Sequence, residues 1–163
     1  MTWLSTSETL RWRTAPDFNL QAIRGFDLSL SSFWYRSNMV LVFCNPESVS
    51  QLVSFCNRLA VINGAIQDEA GKLAVLLHEG RSGQSNLSWL KELPFPVLLD
   101  RESHVLERYR TFLPEITEAV LMIFVLDRYG AVFAAYSNPH LNDPLPGSEI
   151  TDWLKFIELQ CPE

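Results

Sequence analysis

The chain has 163 residues, 47% of them apolar and 20% charged, and a formal net charge of −6. A chain of this length buries about two thirds of its unfolded surface, and this composition excludes a disordered or low-complexity protein. The acidic balance provides no basic patch on which phosphates could release counterions, so nucleic acid is not an expected partner.

No apolar run approaches the roughly 20 residues that cross a bilayer, and no membrane partner is expected. The longest run, Ala119 to Leu126, is strand-sized. The first dozen residues, with Thr2, Ser5, Thr6, Ser7, Glu8 and Arg11, lack the apolar stretch of a secretory signal. The expectations are one domain over residues 1–163 and a cytoplasmic location. Cys44, Cys56 and Cys161 are odd in number and widely spaced, which fits neither a disulfide framework nor a zinc site. No cofactor is called for.

In chain order, Met39 to Phe43, Leu73 to Leu77 and Val120 to Leu126 are apolar throughout, as central strands covered on both faces are. Between the first two, Val49, Leu52, Val53, Cys56, Leu59 and Ala60 recur at helical spacing and predict a helix from about Ser48 to Val61. Strand, helix and strand imply a right-handed crossover with parallel pairing. Ser85 to Leu93 predicts a second helix, stopped by Pro94 and Pro96 before a short strand, Val97 to Leu99. Asp100 or Ser103 then caps a small helix carrying Leu106 and Tyr109.

Ile123 to Leu126, a turn at Asp127 to Gly130, and Ala131 to Tyr136 read as an antiparallel hairpin, so the sheet is mixed. After Pro146-Gly147-Ser148, a terminal helix places Ile150, Trp153, Leu154 and Ile157 on one face. This series, β-α-β-α then β-β-α, is the order of a thioredoxin core. The fold class is therefore α/β, a thioredoxin-like fold with a mixed central sheet and helices on both faces.

Four segments resemble the peroxiredoxins, the alkyl hydroperoxide reductase and thiol-specific antioxidant family. Ala15 to Leu20 is similar to its APDF-x-L opening and Ser29 to Phe33 to its SLSDF lead into the first core strand. Leu93 to Asp100 is similar to LPFPLLSD, and Phe124 to Gly130 to the FVIDPDG hairpin. The likeness runs in order from about Ala15 to the C-terminus.

The resemblance also implies where the family's chemistry would sit. A peroxiredoxin reduces peroxide with a thiolate in the first turn of a helix, carried by a P-x-x-x-T/S-x-x-C motif. The helix N-terminus, a hydroxyl and an arginine lower that thiol's pKa and stabilise developing charge. On the matching stretch Pro46 and Ser50 fall on the motif, but Val53 stands at the cysteine position. The family's arginine position is Leu121. Two aliphatic residues in place of a thiol and a cation point to a pocket converted to core. The alternative register of thioredoxin-like reductases puts the two cysteine positions on Ser48 and Gln51, and neither is cysteine.

Cys56 falls on the apolar stripe of the predicted helix, where burial would keep it inert, and Cys44 ends the first core strand nearer the expected site. His78, His104 and His140 are far apart and lack neighbours at metal-ligand spacing. His78 to Arg81 follows the second core strand, at the carboxyl edge where ligands of open α/β sheets collect. Trp34, Tyr35 and Trp89 read as packing rather than as partner anchors.

Two functions compete, and a third reading, one piece of a larger redox complex whose cysteine comes from another chain, is not separated from the first of them by sequence. One is a pseudoenzyme, a scaffold that binds an unidentified protein or small molecule and forms a homodimer as the resemblance implies. The other is an antioxidant thiol peroxidase or oxidoreductase using Cys44 or Cys56 from a displaced position.

Overall fold

The computed structural model describes residues 2–5, 13–78, 88–113 and 120–160. The central strand is β4, Asn38–Cys44, whose seven residues are all buried. It follows three short strands, β1 (Thr2–Ser5), β2 (Asn19–Gln21) and β3 (Asp27–Ser29). After it come α1 (Val49–Asp68), β5 (Gly71–Leu77), β6 (Val97–Leu99), α2 (His104–Arg110), β7 (Leu121–Leu126), β8 (Val132–Asn138) and α3 (Gly147–Gln160). The main sheet has six strands in the order β1-β8-β7-β4-β5-β6, and β2 with β3 forms a separate hairpin. β5 pairs parallel with β4 and β6, whereas β7 pairs antiparallel with β4 and β8. The mixed sheet expected from the sequence is present.

Because side chains alternate along a strand, β4 feeds two cores at once. Val40, Val42 and Cys44 join Val75, Ile123 and the inward residues of α1 and α3 on one face. Met39, Leu41 and Phe43 join Leu76, Phe124 and the α2 residues Val105 and Tyr109 on the other. Each such side chain, fully removed from water, contributes about 1.5–3 kcal/mol before entropy is charged against it.

α1 runs about two turns beyond the expected end at Val61, because Asn63 and Ile66 continue its buried stripe. Within the span expected for a second helix, Ser88–Glu92 forms a tight 3-10 turn instead. Pro94 and Pro96, two and four residues beyond Glu92, stop it there. Ser85 to Leu87 lie outside the described residues. Trp89 packs half-buried on the α1 face, in line with the packing reading, whereas Tyr35 is exposed and stacks edge-on against Tyr129. Among the described residues no helix is long and apolar enough to cross a membrane.

Two left-handed positions give opposite predictions. Gly130, in the β7–β8 turn, has φ 85°, and a Cβ there would come within 3.1 Å of the Trp34 indole. Ala70, which ends α1, has φ 60° despite its Cβ. Gly130→Ala is expected to cost about 1–2 kcal/mol, and Ala70→Gly to gain up to about 1 kcal/mol after its added unfolded-state entropy. Urea denaturation midpoints moving in these opposite directions would bear this out.

Candidate functional site

The strand-to-helix junction after β4 is where the family's thiolate would lie. Ser48 is the N-cap of α1 there, and the Ser48 hydroxyl accepts the Gln51 amide at 3.2 Å. The Gln51 side-chain carbonyl in turn accepts the Glu47 amide at 2.8 Å, and the Ser48 and Ser50 hydroxyls lie 3.2 Å apart. The first turn is thus closed by a variant of the capping box. Its field, which falls off within one turn, acts on hydroxyls and an amide, none of which ionises near neutrality.

Val53 is the fifth residue of α1 and lies beyond that turn. It is half-buried and lines a shallow surface groove with Ser50, Ser54, Asn57 and Val61. The expectation that Val53 fills core is corrected here. The stripe facing the sheet is Leu52, Phe55, Cys56 and Leu59, and Val53 lies one residue, or about 100°, round the helix from Leu52. Leu121 does fill core: it is buried as the first residue of β7, directly across the ladder from Cys44. Pro46 is half-buried at the mouth of the junction.

Cys44 and Cys56 are both buried on the α1 face of the sheet, with free thiols. Burial pushes the Cys56 thiol up to about 12. Burial pushes Cys44 further in the same direction, and charge on nearby Cys56 adds to the shift. Lost hydration disfavours the thiolate at both positions, so both sulfurs stay protonated near neutral pH. Cys161 lies outside the described residues.

Beside this junction, at the carboxyl edge of β4, β5 and β6, is a cavity of about 20 Å³. Asn45, His78, Asp100 and Arg110 supply its polar walls, and Cys44 borders it. Its volume is that of one or two waters. Asp100 caps α2, its carboxylate accepting the Val105 and Leu106 amides at 3.3 and 2.9 Å. His78 lies with Nδ1 2.6 Å from the Ser103 hydroxyl. Arg110 sits 3.5 Å from the Glu107 carboxylate.

The position of His78 at this edge was legible from its place after an apolar strand. Asn45 and Arg110 carried no such signal, since β4 and α2 meet only through the fold. Glu79, Gly80 and Arg81 lie outside the described residues. His104 pairs on the surface with Glu102 at 3.0 Å, and His140 is exposed, so the three histidines do not come together. Among the described residues no three His, Cys, Asp or Glu side chains are placed to hold a metal ion.

No protein-family model and no curated protein matches this sequence. Solved structures do. The peroxidoxin BcpB from Mycobacterium tuberculosis superposes with a TM-score of 0.69 at 15% identity, over 89% of this chain and 96% of that one. The reduced 2-Cys peroxiredoxin of Plasmodium vivax gives 0.72 at 17% identity, over 93% and 83%. The thioredoxin domain of a thiol-disulfide oxidoreductase from Bacteroides vulgatus gives 0.61 at 16% identity, over 89% and 96%. The chain therefore has a thioredoxin-like fold. In overall architecture it superposes better on these two peroxiredoxins than on the oxidoreductase domain.

The buried thiols predict alkaline sensitivity. Their native pKa values lie above the ordinary value of about 9.0, so above that pH the unfolded chain releases protons that the native state keeps. Stability is then full below pH 9 and falls as pH rises, by up to about 1.4 kcal/mol per pH unit for each thiol. The Tyr109 and Tyr136 phenols, also raised by burial, add to the loss at higher pH. Urea denaturation between pH 8 and 10.5 is expected to show this slope, and Cys56→Ala should flatten it.

Proposed function

We propose that the protein is a peroxiredoxin-like domain without peroxidase chemistry, a pseudoenzyme that acts as a binding scaffold. The supporting observation is that the first turn of α1 contains Ser48, Ser50 and Gln51 in mutual hydrogen bonds and no thiol, while Cys44 and Cys56 are buried and held protonated. Peroxide reduction starts with a thiolate attacking an oxygen. Neither sulfur supplies one near neutral pH. Residues 1–163 act in this proposal as one domain, free in the cytoplasm, with a second copy of the chain and a protein or small molecule as its partners.

A second reading keeps thiol chemistry through Cys44. What favours it is that Cys44 borders the cavity at the sheet edge that His78, Asp100 and Arg110 also line. That reading requires the cavity to open enough to hydrate the sulfur.

Peroxide consumption with a dithiol reductant separates the two, measured on wild type, Cys44→Ser and Cys56→Ser. No consumption above the protein-free rate is expected for all three. Consumption by wild type that vanishes in one variant would overturn the pseudoenzyme reading.

Installing a thiol offers a further check on where the helix field acts. Ser48→Cys, at the N-cap, is expected to alkylate at neutral pH at least about tenfold faster than Val53→Cys, one turn further in. Equal rates would contradict this account of the junction.

A further inference from the structure

Ser103 stands apart from the thiol argument. It occupies the turn between β6 and α2 with a left-handed backbone, φ 58° and ψ 22°, a conformation that is costly for any residue with a Cβ. It is also the N-cap of α2, where a serine hydroxyl ordinarily accepts a helix amide, yet it makes no such bond. Asp100 takes those amides instead. The Ser103 hydroxyl is thereby released to His78, with Oγ and Nδ1 2.6 Å apart. A half-buried serine hydroxyl held against an imidazole that itself lines a cavity is the arrangement of a nucleophile and its base.

We propose that Ser103 is a nucleophilic serine with His78 as its general base, and that the pair takes acyl groups from small activated esters. In this role Nδ1 is the unprotonated ring nitrogen and the hydroxyl donates to it. As Oγ bonds to the ester carbonyl carbon, its proton passes to Nδ1. The tetrahedral adduct then breaks its bond to the leaving oxygen, which takes that proton and departs as the alcohol. Water attacks the acyl-serine, giving a proton to the same nitrogen. Collapse of this second adduct releases the carboxylic acid, and Ser103 regains its proton.

The cycle consumes ester and water and needs neither oxidant nor reductant. The cavity that His78 and Asp100 line is only about 20 Å³, which favours the smallest acyl groups. Asp100 is committed to two helix amides and does not orient the imidazole, so turnover is modest.

The test uses the full-length protein, para-nitrophenyl acetate and a fluorophosphonate probe, with the labelled residue located by peptide mass spectrometry. One adduct, on Ser103, is expected. Ser103→Ala should lose both the adduct and ester hydrolysis, and His78→Gln should slow labelling by about 100-fold or more. Cys44→Ser and Cys56→Ser should label as wild type does. Ser103→Gly relieves the left-handed strain, so it should lose the adduct while melting no lower than wild type, which separates lost chemistry from lost fold. A wild-type protein without an adduct on Ser103 would overturn the proposal. So would unchanged labelling in His78→Gln, or hydrolysis that persists in Ser103→Ala.

Discussion

The complete burial of β4 governs the arrangement of the rest of the molecule. Its hydrogen bonds run to β5 on one edge and β7 on the other, and its side chains enter both cores. A strand in this position tolerates neither charge nor an unpaired polar group. Its polar start meets the rule in part: the Asn38 Nδ2 donates to Glu158 at 2.6 Å, and Arg128 pairs with the same carboxylate at 2.5 Å, while the buried Asn38 Oδ1 has no partner among the described residues. At its other end Cys44 obeys it by remaining a neutral thiol. The burial that makes β4 a good central strand also makes Cys44 a poor nucleophile.

The same strand places the start of α1 where a helix field could activate a nucleophile. In this chain the cap spends that field on backbone amides and hydroxyls. Arg58, half-way along α1, is likewise used structurally, donating to the Leu141 and Asp143 carbonyls at 2.7 Å each and tying the loop before α3 to the helix. At the neighbouring sheet edge the turns after β5 and β6 bring His78, Asp100 and Ser103 together, and because Asp100 takes the α2 amides, the Ser103 hydroxyl is left to His78. Chemistry in this fold is therefore a matter of which edge residues are left over once capping is satisfied.

Much of the fold was legible because unbroken apolar runs and helical spacing are strong signals. β4, β5, β6 and β7, the β7–β8 hairpin, and α3 all fall where the pattern puts them. The edge strand β1 and the β2–β3 hairpin did not declare themselves, since three or four residues cannot establish a period and their pairing is set by distant partners. Burial of Cys56 followed from its stripe. The orientation of Val53 did not, because a valine at a stripe's margin serves core and surface equally well and only the angle of α1 on the sheet decides. The Ser103–His78 contact joins residues 25 apart in sequence through the pairing of β5 with β6, and no local motif encodes it.

The central claim is that this fold holds its described cysteines as neutral thiols. Ultraviolet thiolate absorbance, followed as a function of pH on native Cys161→Ser protein, tests it most directly. The account predicts no thiolate signal at neutral pH, with ionisation appearing only above the ordinary thiol range of about 9.0 or on unfolding. A native ionisation step at or below neutral pH would contradict it.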